Sequence, residues 1–341
     1  MLLDEPTTAD LRAKVAQAWQ DFAQALAEGL QTLPAAARID LTLDPTASGT
    51  GDTVYSISIG ADDAGQLLAL AVGNATLPDD YRLDRTAVAE MIALGWSPPG
   101  VIDGSNGNFG LRTTTDRATS LATVVSRTLR DIYRVPHPAF LLFQVSGTAR
   151  QPLPVVSFGS ARPLTVSDET ISDLDDALAA VAQPGHDALT LEEQVRAVIA
   201  AMMHAAPEQL QVDADGDISI RAGSAMVFVR VRDTPPLVDV FSPVLTDVEP
   251  TERLYVRLSE LTNRMPIGRL YCADDTVWAS IPVFGRNFQP VHLMLAVQVM
   301  TGLADELDDR LHGEFGGRRF FADGDKPVGG SEREHRTGMY L

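Results

Sequence analysis

Few residues in this chain have the type and spacing to do chemistry. Asp213-Ala214-Asp215-Gly216-Asp217 places three carboxylates two residues apart, as at the start of an EF-hand calcium loop. That loop needs Gly at its sixth position and a bidentate carboxylate at its twelfth, where this chain has Ile218 and Ser224. The segment therefore reads as a hairpin turn leading into a strand. His137, His186, His204, His292, His312 and His335 are scattered, with no pair at metal spacing on a helix and no H-E-x-x-H. His292 lies beside an apolar helical stripe and reads as a partly buried, satisfied histidine. Cys272 is the single cysteine, so neither an intramolecular disulfide nor a cysteine zinc cluster can form. It sits beside Tyr271 in a strand pattern, the setting of an inert buried thiol.

Glycine-rich stretches are no more catalytic. Gly104-Ser105-Asn106-Gly107-Asn108 lacks the G-x-S-x-G frame of a nucleophile elbow. Gly49-Thr50-Gly51 has neither the third glycine of a dinucleotide loop nor the Lys-Ser/Thr of a P-loop. Arg318-Arg319-Phe320-Phe321 reads as a cation cluster at a helix end, in preference to a C-terminal docking strand. No catalytic residue, metal ligand or cofactor is expected, and the chain reads as a non-enzyme.

Composition narrows the partners. The 341 residues carry 27 Lys and Arg against 46 Asp and Glu, a net charge of −19, which repels nucleic acid and anionic lipid alike. MLLDEPTTAD lacks the basic start and apolar core of a secretory signal, and no apolar run approaches the roughly 20 residues of a membrane span. A cytoplasmic location without membrane insertion is the expectation.

The elements that must position any site are legible from periodicity. Leu11, Val15, Trp19, Phe22, Leu26 and Leu30 form one helical stripe, opened by Thr7 and Asp10 as a capping-box variant and closed by Pro34. Alternation predicts strands through Ile39–Leu43, Tyr55–Ile59 and Gln66–Val72, an antiparallel meander. Helices follow at Asp84–Leu94 and Asp116–Tyr133, with a weak strand at 109–111 between them and a further strand over Phe140–Val145. The pattern restarts with a helix through Leu191–Met202 and strands at Asp217–Arg221, Ala225–Val231 and Leu237–Leu245. A helix at Thr251–Asn263, strands at Ile267–Ala273 and Thr276–Phe284, and a long helix over Phe288–His312 complete it. The fold class is α+β: two tandem α-β-β-β-α-β-β-α-like domains, antiparallel sheets with helices on one face. The boundaries are 1–146, a Pro- and Asp-rich linker at 147–189 with a short helix at Ile171–Val181, 190–318, and a disordered tail from 319 to 341.

Specific strings carry a resemblance. Leu258-Ser259-Glu260-Leu261-Thr262-Asn263 followed by Gly268-Arg269-Leu270 resembles the helix-to-strand turn of YbjN-like proteins. Ala93-Leu94-Gly95-Trp96-Ser97-Pro98-Pro99 with Asn108-Phe109 resembles the N-terminal domain of actinobacterial YbjN and type III secretion chaperone-like (CesT-like) peptide-binding proteins. The resemblance implies a peptide- or protein-binding chaperone with no catalytic residues to transfer. The acidic charge resembles that of type III chaperones, but a plain solubility feature is the preferred reading of it.

Strand alternation locates a surface for such a role. Helices should cover the face bearing Ile218, Ile220, Val227, Val229, Val238, Val240, Ala279 and Ile281. The opposite face then carries Met226, Phe228, Phe241, Trp278 and Phe284, and an antiparallel sheet facing water should be polar there. Those five residues need a cover: a bound client peptide or protein, a second protomer in a homo-oligomer, or the linker or first domain of the same chain. The leading expectation is a client-binding chaperone, which could also pair a client strand with an exposed sheet edge, and the alternative is a structural or regulatory oligomer.

Overall fold

A computed structural model describes residues 7–45, 54–62, 64–147, 157–164, 189–203, 205–222 and 225–320. The helix expected at Ile171–Val181 and nearly all of the expected tail lie outside these residues, as do His186, His204 and His335. Two α+β units are present. One groups Met1–Ala18 with Thr165–Ala322, and the other contains Trp19–Leu164.

Helix α1 (Thr8–Gln31) contributes to both units. Its start is set by Thr7 and Asp10: the Thr7 N–H donates to Asp10 Oδ2 at 2.8 Å and the Asp10 N–H to Thr7 Oγ1 at 3.2 Å. Within the Trp19–Leu164 unit follow β1 (Arg38–Leu43), β2 (Ser56–Ala61) and β3 (Gln66–Ala71). Then come α2 (Arg85–Ala93), β4 (Phe109–Thr114), α3 (Ala118–Arg127), β5 (Leu141–Ser146) and β6 (Arg162–Pro163). The sheet order is β4-β3-β2-β1-β5-β6, antiparallel except for the β5–β6 pair. The segment read as a linker with one short helix thus also supplies an edge strand, and Arg162 pairs with the buried carboxylate of Asp44.

One face of this sheet is core: Ile39, Leu41, Ile57, Ile59, Leu67, Ala69 and Ala71 are fully buried. The alternate residues are half-exposed, as the burial alternation of β2 and β3 shows, and they include Ser56, Ser58 and Gln66. Trp96 is fixed by its indole N–H, which donates to Thr128 Oγ1 at 2.8 Å, and Tyr133 stacks on Tyr55 at 4.5 Å. Ile92 points outward, and α2 buries Met91 alone.

The other unit continues with α4 (Leu191–Met202), β7 (Asp217–Ala222), β8 (Ala225–Asp233) and β9 (Pro236–Thr246). It is completed by α5 (Glu252–Thr262), β10 (Arg269–Ala273), β11 (Thr276–Phe284), α6 (Pro290–Phe315) and β12 (Arg318–Arg319). Its sheet runs β10-β11-β9-β8-β7, and each neighbouring pair is antiparallel. Arg318 and Arg319 extend β9 as a short strand opposite Thr246 and Leu245, which corrects the reading of a helix-end cation cluster.

The inner face is the one anticipated. Ile218, Ile220, Val227, Val229, Val238, Val240, Ala279 and Ile281 form one core with Val195, Val198 and Ile199 of α4, Leu254, Leu258 and Leu261 of α5, and Leu293, Val297 and Met300 of α6. The turn from α5 into β10 has a defined cause. Leu270 N–H donates to Thr262 Oγ1 at 2.9 Å, and Gly268 takes φ 95°, where a Cβ would lie 2.8 Å from the Ser280 carbonyl oxygen. Among the described residues no helix is long and apolar enough to cross a membrane.

Candidate functional site

The outer face of the second sheet brings four of the five expected residues into one patch. Phe228 stacks on Phe241 with centroids 5.5 Å apart, and Trp278 packs against Phe241 at 6.0 Å. Register explains the assembly: Phe228 pairs with Phe241 across β8 and β9, and Trp278 pairs with Pro243 across β11 and β9. Met226 lies two residues from Phe228, on the same side of β8. Phe284, on the same side at the far end of β11, is 80 % exposed. The other four are at most 2 % exposed, so the patch is closed within the single chain.

The first turns of α1 are tied to this outer face at two places. Thr8 Oγ1 sits 2.7 Å from Thr276 Oγ1 and donates to the Ala273 carbonyl at 3.3 Å. Two turns later Lys14 Nζ lies 2.7 Å from a carboxylate oxygen of each of Asp213, Asp215 and Asp217. Thr276 and Asp217 begin β11 and β7, which run antiparallel to each other near opposite edges of the sheet. Both side chains are on the outer face, so Thr8 and Lys14 tie the start of α1 to that face at two separate places. Leu11, between the two anchors on the same side of the helix, is 4 % exposed. Val15, assigned to the helical stripe from sequence, is only half-buried, and Lys14 takes the central position instead.

The aspartates do form the expected turn. Asp213 Oδ1 accepts from the N–H groups of Asp215 and Asp217, each at 2.9 Å, and Gly216 supplies φ 84°. Their ligand atoms lie within 4.8 Å of one another, a spacing suited to a cation, and the Lys14 ammonium fills that position. Burial alone would push the Lys14 ammonium down, but its hydrogen bonds to Asp213, Asp215 and Asp217 outweigh that and raise it above 10.5. The same contact with Lys14 holds Asp215 below its ordinary 3.8. Asp217 is fully buried and also holds Arg230 bidentately at 2.7 and 2.8 Å, while Arg230 lies 5.4 Å above the Phe241 ring. The acidic turn, the arginine and the aromatic patch are therefore one connected surface. One group in it is unsatisfied: the buried indole Nε1 of Trp278 has no hydrogen-bond partner among the described residues.

Other candidates fall away from this surface. Burial raises the Cys272 thiol, so thiolate is scarce at neutral pH. His137 is buried, with Nδ1 accepting from the Ala139 N–H at 3.1 Å, and His292 is exposed rather than partly buried.

Residues 190–323 match the family model described as T3SS (YopN, CesT) and YbjN peptide-binding chaperone 1. Residues 12–147 match the one described as T3SS (YopN, CesT) and YbjN peptide-binding chaperone 3. Both halves are matched as peptide-binding chaperone domains. No curated protein matches the chain. The outer faces of the two sheets differ in burial. In the 12–147 match that face carries half-buried Ser56, Ser58, Gln66, Leu68 and Leu70, whereas in the 190–323 match it carries the fully buried aromatic patch.

Proposed function

We propose that the protein is a non-enzymatic peptide-binding chaperone whose client site is the outer face of the C-terminal sheet. The observation that carries this reading is the apolar patch of Met226, Phe228, Phe241 and Trp278 on the sheet side away from the helix-packed core, closed within the chain where the start of α1 is held by polar and ionic contacts. Family membership of the 190–323 segment supplies the ligand class, a peptide. Polarizable Met and flat aromatic rings adapt to different apolar side chains, which suits a binder of varied sequences. Access requires the Thr8–Ala18 segment to leave the face, while Phe284 stands open at its rim as a first point of contact.

The test is a titration of the full chain with an extended apolar peptide. Trp278→Ala and Phe228→Glu should abolish saturable binding. Phe284→Ser, at an exposed position with a folding cost within about 0.5 kcal/mol, should weaken it without unfolding the chain. Unchanged affinity in Phe284→Ser together with either patch variant would remove this face from the account.

A further inference from the structure

The segment tied to the outer face describes the ligand that fits there. Its contacts need a helix with an apolar side chain at one position and a cation three residues later. Leu11 and Lys14 are at most 4 % exposed, and the ammonium enters a turn whose three carboxylates are placed for a cation. The cover is nevertheless imperfect. A helix spends its backbone carbonyls on its own N–H groups, so the resident segment offers the buried Trp278 indole no acceptor. A competing helix with a side-chain oxygen over Trp278 would make the bond that the resident one leaves unmade. The N-terminal part of α1 is also covalently tethered, so it competes at high effective concentration and must be displaced.

Building on the client-binding reading above, we infer that Thr8–Ala18 is a built-in pseudo-ligand, latched by Lys14 in the Asp213–Asp215–Asp217 turn, and that the clients which displace it are amphipathic helices carrying a Leu-x-x-Lys pair. The chain then holds its apolar face shut until such a helix arrives, which keeps an aromatic surface from aggregating in the absence of a client. The charge pair selects for cationic segments over acidic ones, in keeping with the negative charge of the whole chain.

The experiment uses the full-length protein and a synthetic peptide of residues 7–18, TTADLRAKVAQA. Lys14→Glu sets a fourth carboxylate against the acidic turn and should release the latch. Isothermal titration should then show at least tenfold tighter binding of the peptide than in the wild type. The same peptide with Glu in place of its lysine should bind at least tenfold more weakly than the parent. Adding Asp215→Lys to Lys14→Glu rebuilds an ion pair at an accessible position and should return affinity towards the wild-type level. Lys14→Met gives a second route to an open face should Lys14→Glu lose its circular-dichroism signature. If the opened variants gain affinity for an extended apolar peptide but not for residues 7–18, the pseudo-ligand inference is overturned and the client site stands. If they bind neither peptide, both fail.

Discussion

Lys14→Met isolates the latch because it keeps an apolar stem of similar length and removes the charge. In the wild type the Lys14 side chain is 2 % exposed and meets Asp213, Asp215 and Asp217 at 2.7 Å each, with those side chains 11 %, 54 % and 0 % exposed. Removing one partner of a buried ion pair costs about 3–5 kcal/mol, because the other charge is left desolvated. Two features lower that figure: Asp215 is open to water, where a pair contributes about 0–1 kcal/mol, and Asp217 keeps Arg230. A loss of about 2–3 kcal/mol is expected in the unit holding residues 189–320, read by urea titration with far-UV circular dichroism. The pH profile gives an independent signature. Asp215 is held below 3.8, so its contribution is complete above that pH and fades as pH falls through the lowered value. Lys14 is raised above 10.5, so its contribution is complete below that pH and fades above it. The wild-type latch is therefore flat in pH between about 5 and 10. In Lys14→Met the Asp215 carboxylate loses the ammonium that lowers it and is left beside two other carboxylates, so its pKa rises. The variant should consequently gain stability as pH falls from 7 to 5. A loss below about 0.5 kcal/mol with an unchanged pH slope would refute the reasoning.

Two further predictions concern folding. Burial pushes His137 down to about 3, so below its ordinary 6.5 the unfolded chain takes up a proton that the native one refuses. Stability should fall with pH between 6.5 and 3 by up to about 1.4 kcal/mol per unit, and His137→Asn, which keeps an acceptor for the Ala139 N–H, should flatten that slope in urea titrations at successive pH values. Gly268→Ala meets both a left-handed φ of 95° and the Ser280 carbonyl and should cost about 2 kcal/mol, whereas Gly302→Ala, in a helix with open space around it, should add roughly 0.5–1 kcal/mol. Thermal unfolding of the pair should move Tm in opposite directions.

The fold was readable where periodicity was unambiguous. Alternation assigned Ile218, Val227, Val240 and Ile281 to one side and Phe228, Phe241 and Trp278 to the other, because a strand has period two and its flanking turns fixed the register. What covered the second side was not readable, since cover is a long-range property. Local periodicity placed the start of α1 with the residues that follow it in the chain, and it favoured Val15 over Lys14 because apolar side chains are expected on a buried stripe. The decisive pairing joins residue 14 to residues 213–217, and single-chain periodicity carries no information across that separation. Two signals did exist: a lysine three residues after Leu11 on an apolar helix face, and an acidic turn spaced for a cation but lacking the glycine and the twelfth-position carboxylate of a calcium loop. Charge complementarity between them was the missing step. The short strand Arg318–Arg319 escaped for a simpler reason, since two residues have no period and only the free edge of β9 near Thr246 makes them a strand.

Hydrogen–deuterium exchange of the full chain, with and without saturating extended apolar peptide, tests the central claim most directly. Binding at the outer face should slow exchange in 225–246 and 276–284 and speed it in 8–18. Protection confined to other segments, with 8–18 unchanged, would contradict the assignment of that face as the client site.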